Sequence, residues 1–108
     1  MLNSIATTVE RRTVITGPFG THPYEAAWAS EALFFVRVEG EHPELLIQPQ
    51  VSPDGIDWID RGAPVVMRAD QDLVDVELVR FGTWVRLHLS GASADAPAEI
   101  LVRLELKG

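Results

Sequence analysis

The amino-acid sequence predicts an all-β fold, namely a two-sheet antiparallel β-sandwich of jelly-roll or immunoglobulin-like topology with about seven to nine strands. Three observations support this prediction. Many short segments alternate apolar and polar residues, which is typical of half-buried strands. Glycine, proline and aspartate recur at short intervals between these segments, as they do in turns. No helical period extends over a long window.

The chain is predicted to form one domain at residues 9–108, preceded by an N-terminal arm at residues 1–8. Its 108 residues match the length of a single domain. The arm segment shows no strong hydrophobic period. Because terminal segments fray unless something holds them, we expect the arm either to pair with its own sheet or to be ordered by a neighbouring molecule.

The first half of the domain contains two predicted strands separated by an irregular region. Residues 9–16 are rich in β-branched side chains and predict the first strand. Residues 17–23 contain two glycines and two prolines, which predicts a loop. Residues 24–30 predict a strand or a single turn. Residues 32–39 predict a central strand, since apolar residues occupy both of its faces at the start.

A hairpin is predicted between strands at residues 45–51 and 56–60. Proline presets the φ angle of a turn, glycine tolerates positive φ, and serine and aspartate hydrogen-bond their own backbone. Pro49 lies within the first strand and therefore predicts an edge strand or a bulge. Trp58 is predicted to anchor the core. The turn itself reads Ser52-Pro53-Asp54-Gly55.

The second half of the chain predicts four more strands. A kink or bulge is expected at residues 80–82 and a loop at residues 91–97. Apolar residues alternate with polar ones in the longer segments, so one face of each is expected to be buried. The predicted strands are residues 65–69, 73–79, 84–90 and 98–107.

Charge and composition exclude several classes of partner. The net charge of −7 argues against nucleic acid and against anionic membranes, because both require a basic patch. No basic region is followed by an apolar stretch at the N-terminus, so no signal peptide is predicted. No apolar run reaches the length that spans a bilayer. Cysteine is absent, which excludes disulfides and thiol chemistry within this chain.

No catalytic, cofactor-binding or metal-binding residues are predicted, and the chain is not predicted to be an enzyme. The sequence has no nucleophile elbow, phosphate-binding glycine loop or zinc-protease motif. The three histidines, His22, His42 and His88, show no metal-ligand spacing. A loop-bound calcium ion at Asp54, or at Asp70 and Asp72, is an alternative to this prediction.

Protein partners are predicted instead, through the arm and the strand at residues 84–90. Trp84 and Arg86 occupy the polar face of that strand, and these residue types are enriched at interface hot spots. A carbohydrate platform made of exposed aromatic residues is the alternative. The predicted interface residues are Met1, Leu2, Ile5, Phe81, Trp84 and Arg86.

One resemblance covers roughly residues 31–106. The order Phe34-Phe35-Val36, then a strand ending in Val51-Ser52-Pro53-Asp54-Gly55 with Trp58, and then Phe81-Gly82-Thr83-Trp84-Val85-Arg86, resembles small β-sandwich modules of bacteria and their phages. Phage head-decoration and tail-associated sandwiches are structural proteins of this kind.

The resemblance implies a non-enzymatic protein that docks on a larger shell or on its own copies, as a homo-oligomer or bound to a major shell protein. It implies a virion decoration or accessory role, and a location in the virion or at a cytoplasmic assembly site. A module that binds carbohydrate or another surface ligand is the alternative function. A calcium-stabilised adhesion-type domain is a third hypothesis.

Overall fold

A computed structural model describes residues 3–108 and contains ten β-strands in that part of the chain. None of the described residues belongs to a helix that is long and apolar enough to cross a membrane. The strands are β1 (Ser4–Ile15), β2 (Phe19–Gly20), β3 (Tyr24–Glu25), β4 (Glu31–Glu39), β5 (Leu45–Ser52), β6 (Ile59–Asp60), β7 (Val65–Met67), β8 (Leu73–Val79), β9 (Trp84–Ser90) and β10 (Ala98–Lys107).

The strands form two antiparallel sheets, which confirms the predicted β-sandwich. Sheet A has the order β1-β10-β4-β8. Sheet B has the order β2-β9-β5-β6, with β3 also pairing with β9 and β7 with β5. If β2 and β3 are counted as one interrupted strand, and β6 and β7 as another, the fold has eight strands. The first strand pairs with the eighth, the second with the seventh, the third with the sixth and the fourth with the fifth. This nested order is that of a jelly roll, one of the two predicted topologies.

The core lies between the two sheets. Alternate residues of each long strand point inward, so β4 buries Phe34 while β9 buries Leu87 and β10 buries Leu104. Each fully buried side chain of this size contributes about 1.5–3 kcal/mol relative to an exposed one. One face of each of β9 and β10 is buried, as the alternation predicted, and its residues are Val85, Leu87, Leu89, Ile100, Val102, Leu104 and Leu106.

The prediction that Pro49 marks an edge strand or bulge is wrong, because β5 lies inside sheet B. Leu87, opposite Pro49, directs its backbone away from β5: its N–H donates to Thr21 Oγ1 (3.0 Å) and its C=O accepts from Thr21 N–H (2.8 Å). The backbone of Pro49 therefore points toward the gap between β6 and β7, where its C=O accepts a hydrogen bond from Arg61 N–H at 2.9 Å. Its missing N–H removes no ladder bond at that gap.

The first strand begins earlier than predicted. β1 starts at Ser4, so residues 4–8 of the predicted arm pair with β10, which is the first of the two alternatives expected for this segment. Their inward side chains lie opposite buried residues of β10, such as Leu104 and Leu106, which favours pairing. Register shifts follow Thr8 and Glu10. Met1 and Leu2 lie outside the described residues.

The predicted loop at residues 17–23 contains the short strand β2. Phe19 pairs with Leu89 and Gly20 with His88, so the glycine does not prevent pairing at this sheet edge. The next segment, for which a strand or a turn was predicted, contains both. β3 pairs with β9 over two residues, and a turn follows at Ala27 and Trp28.

The hairpin turn after β5 has the predicted hydrogen bonds. Ser52 Oγ accepts from Gly55 N–H at 2.8 Å and donates to Asp54 Oδ1 at 2.9 Å. Gly55 has a φ of 80°, as the turn requires. However, the predicted strand at residues 56–60 is wrong for its first part, since β6 contains only Ile59–Asp60.

The Asp54 carboxylate caps the loop that replaces those strand residues. Its Oδ1 accepts from the N–H groups of Ile56 and Asp57, both at 2.9 Å. The backbone N–H of Asp57, followed by that of Ile56 and the Ser52 hydroxyl, lowers the pKa of Asp54, because each bond favours the charged form.

Candidate interaction surfaces

Trp84 and Arg86 lie on the outer face of sheet B. Both are half-buried, and they alternate along β9 with the buried Val85 and Leu87. This orientation agrees with the alternation in the sequence. We call this surface, formed by Gln50, Trp58, Asp60, Trp84 and Arg86, the Trp84 face.

Arg86 is held in place by three neighbours. Its Nε donates to Gln50 Oε1 at 2.8 Å, and its guanidinium carbon lies 4.3 Å from the centre of the Trp58 ring. Gly20 packs so closely that a Cβ there would lie 2.6 Å from Nη1. Burial lowers the pKa of Arg86, but an arginine stays cationic in proteins. The cation is therefore oriented before any ligand binds.

The network extends across the sheet edge to β6. Gln50 donates through Nε2 to Asp60 Oδ1 at 3.0 Å, since these two residues are cross-strand partners. An amide, a carboxylate and a guanidinium thus lie in one row beside Trp58. This cluster was not predicted from the sequence, because the length of the hairpin loop determines which residue of β6 faces Gln50.

Trp58 does not anchor the core, which corrects the prediction. It is half-buried and stacks on the Arg86 cation at the outer face. The inward positions here are occupied by the buried Val51 of β5 and by its cross-strand partner Val85 of β9. The hairpin loop also covers Trp84, because a Cβ at Gly55 would lie 3.4 Å from the Trp84 ring. Part of the surface of each indole is therefore covered by other residues of the same chain, that of Trp58 by Arg86 and that of Trp84 by the hairpin loop.

A second apolar surface, the Trp28 patch, is formed by Ile5 and Trp28. Their side chains are 43% and 42% exposed, and they line a shallow hollow together with Asn3 and Ser4. Gly108 lies against the indole, and its N–H donates to Asn3 O at 2.9 Å. Ile5 was a predicted interface residue, whereas Trp28 was not.

Phe81 is the predicted interface residue whose surroundings differ most from expectation. It is half-buried and packs against the hydrophobic core. The bend between β8 and β9, where Arg80 has a φ of 56°, turns the Phe81 ring inward. Ile5 belongs to sheet A and Trp84 to sheet B, so the predicted interface residues do not share one sheet. Met1 and Leu2 lie outside the described residues.

His42 and the acidic loop at residues 70–72 have structural partners. Both ring nitrogens of His42 contact backbone oxygens, that of Pro43 at 2.7 Å and that of Gln71 at 2.5 Å. Asp70 accepts from Arg68 Nε at 3.0 Å, in the loop where calcium was an alternative. Within residues 3–108, no group of three or more histidine, aspartate and glutamate side chains is placed to hold a metal ion.

Sheet A presents two free edges in the described part of the chain, β1 and β8. The edges of sheet B consist of strands of only two or three residues. Short edge strands resist pairing with other chains, whereas long ones invite it. The long free edges of sheet A are therefore the available pairing surfaces.

No protein-family model and no curated protein matches this chain. Two solved structures are similar in fold. One comes from Bacillus endospore appendages, which form a family of disulfide-linked pili. It is 12% identical in sequence and has a TM-score of 0.50, and the match covers 98% of this chain and 84% of that chain. The other is a family two carbohydrate esterase from Cellvibrio japonicus, 12% identical, with 100% of this chain and 34% of that chain covered and a TM-score of 0.46. At such identity only a β-fold is shared.

Proposed function

We propose that this chain is a non-enzymatic structural protein that assembles with copies of itself. The observation that carries the proposal is the pair of free edges on sheet A, each with exposed apolar side chains. Ile5 and Val14 are exposed on β1, and Leu73 and Val79 on β8. Free edge strands with apolar side chains pair with other chains, and closed or open symmetric assemblies result.

Two further points support the assembly proposal. Jelly rolls occur in viral capsid proteins, although they also occur in lectins. The appendage protein of similar fold forms disulfide-linked pili. Because this chain has no cysteine, contacts between its copies would be non-covalent.

A finer form of the proposal is a decoration or accessory protein of a virion, which would bind a major shell protein in addition to its own copies. Its support is the resemblance of residues 31–106 to phage sandwich modules. The location would then be the virion, or the cytoplasm during assembly.

The assembly proposal is tested by size-exclusion chromatography with light scattering, together with electron microscopy of the same samples. We expect a mass that rises with concentration and discrete particles of constant shape. A monomer that persists up to about 1 mM would overturn the proposal, because any remaining affinity would be weaker than about −4 kcal/mol.

Carbohydrate binding through the Trp84 face is the second candidate function. The row formed by Asp60, Gln50 and Arg86 beside the Trp58 indole supports it, since sugars are bound by polar side chains around an aromatic ring. A glycan array is the direct test. We expect Trp58→Ala and Gln50→Ala to abolish binding and Trp28→Ala to leave it unchanged. An array without hits would remove this candidate.

A further inference from the structure

We propose that two copies of this chain pair antiparallel through residues 4–9 of β1, around a two-fold axis at Thr7. The two copies of sheet A would then form one continuous sheet. This inference rests on the proposed self-assembly and names its first contact. It is argued from charge, from the free backbone groups and from the match of side chains across the axis.

Charge distinguishes the two free edges of sheet A. β8 carries Asp75 and Glu77 on its exposed positions, and antiparallel self-pairing about the centre of the strand, Val76, would place Asp75 of each copy opposite Glu77 of the other. Like charges that face each other across a strand pair destabilise it. Residues 4–9 carry no charged side chain, and include Ile5, Thr7 and Val9. Self-pairing is therefore unopposed at β1 and opposed at β8.

Only the first half of β1 is open to a second strand. Register shifts interrupt the strand after Thr8 and after Glu10, and Arg12 has a φ of 50°. Glu10 Oε2 accepts from His22 N–H at 2.8 Å, so the loop before β3 lies against this part of the strand. Bulges and covering loops are the usual protection of edge strands.

The backbone groups that face outward have the spacing that such a pair needs. Gly108 N–H donates to Asn3 O at 2.9 Å, which places Asn3 in a hydrogen-bonded pair with β10. Because these pairs alternate along an antiparallel ladder, Ile5 and Thr7 also face β10, whereas Ala6 and Thr8 face outward. With Thr7 on the axis, Ala6 of each copy lies opposite Thr8 of the other.

The side chains match in the same register. Ile5 lies opposite Val9 of the second copy, and both belong to the inward face of β1, where Ile5 pairs with Leu106. Pairing would cover part of the exposed Ile5 surface. Thr7 meets Thr7 of the second copy, and threonine pairs of this kind stabilise strand pairing by roughly 0.2–1 kcal/mol.

Charged side chains do not oppose this register. Arg11 is exposed just beyond the pairing segment, and with Thr7 on the axis it lies opposite the uncharged Asn3 of the second copy. On the neighbouring strand β10, Glu105 and Lys107 flank the contact with opposite charges.

A cysteine at the axis tests this geometry, because the chain has no other thiol. In Thr7→Cys the two Cα atoms would lie about 4.5 Å apart, within the range that a disulfide bridges. Val14→Cys is the control, since Val14 is 58% exposed on the same strand but outside the pairing segment. At about 10 μM protein, we expect Thr7→Cys to cross-link roughly 100-fold faster than the control, because paired thiols have a millimolar effective concentration.

Two sets of variants test the contact without a cross-link. Ala6→Pro removes an outward N–H and leaves the ladder with β10 intact, whereas Ala6→Ser keeps that N–H. We expect the dimer to be lost only with proline. Ala6→Lys with Thr8→Lys would place like charges opposite each other twice per dimer and should weaken the dimer at least about tenfold, whereas Ala6→Lys with Thr8→Glu should restore it. Circular dichroism verifies the fold of each variant.

The outcomes separate this inference from the proposed function. If the wild-type chain assembles but Thr7→Cys cross-links no faster than Val14→Cys, the β1 contact is wrong and assembly uses another surface. If the wild-type chain is a monomer at every concentration, self-assembly itself is overturned. If Ala6→Pro is misfolded, the charge variants decide, because their side chains lie on the surface.

Discussion

Gly91→Ala is the substitution whose effect the structure defines most sharply. Gly91 directly follows β9 and has a φ of 115°, a conformation that L-residues rarely adopt. A Cβ at this position would lie 2.3 Å from the backbone oxygen of Glu44. An ordinary contact between carbon and oxygen is about 3.3 Å or longer, so the chain before β5 would have to move by about 1 Å.

The expected loss of stability has two parts. Backbone strain at positive φ costs about 1–3 kcal/mol, and relief of the overlap costs about 1–3 kcal/mol more. The total is therefore about 2–6 kcal/mol. Unfolding entropy of about 2.1 cal/mol/K per residue implies a fall in Tm of about 4 °C for each kcal/mol in a chain of 108 residues. We expect Gly91→Ala to lower Tm by about 10–25 °C.

Gly40→Ala is the matched control. Gly40 has a φ of 77°, but a Cβ there would meet no atom within 4 Å. Only the strain applies, at about 1–2 kcal/mol. Urea unfolding of both variants, followed by circular dichroism, measures the difference. If Gly91→Ala is no less stable than Gly40→Ala, the close approach of β9 to Glu44 is wrong.

Three further predictions concern the hairpin, the Trp84 face and the core. The pKa of Asp54 is lowered in the fold, so its carboxylate stabilises the fold above about pH 4 and loses this effect as pH falls through the folded pKa. Asp54→Asn should therefore be less stable than wild type at pH 7 and equally stable at low pH. A difference in urea unfolding that stays constant with pH would contradict this. A double-mutant cycle with Arg86→Met and Trp58→Leu should give a coupling energy of about 0.5–1 kcal/mol, and additive effects would refute the stack. Met67→Ala should cost about 2–5 kcal/mol in thermal unfolding because Met67 is fully buried, whereas Val66→Ala, at an exposed position of the same strand, should cost less than about 1 kcal/mol; equal losses would contradict the orientation of β7.

Local patterns predicted the strands that are exposed on one face and buried on the other. The bounds of β9 and β10 agree with the prediction, because alternation over seven or more residues is a strong local signal. The strands β2 and β3 have two residues each and are too short to show alternation. Pairing there depends on neighbours that lie far away in the sequence, such as Leu89 for Phe19.

The candidate surfaces were predictable only in part. The outward orientation of Trp84 and Arg86 follows from alternation along one strand. The position of Trp58 does not follow from such a local pattern, because an apolar residue near a turn can enter the core or fold back over the sheet. The choice depends on Arg86, whose cation stacks on the indole. The Pro49 prediction failed for a similar reason, since the gap that accommodates proline lies between two other strands.

The pairing of β1 with β10 has a consequence for synthesis on the ribosome. Ser4 pairs with Lys107, so β1 must wait until β10, the last strand of this fold, has been synthesised. At about 5–20 residues per second, this wait is about 5–20 s. Until then, the uncharged residues 4–9 have no partner strand in the described fold. The segment that we propose as the contact between finished copies is thus also the segment that stays unpaired longest in the nascent chain, where premature contact between neighbouring chains would compete with folding.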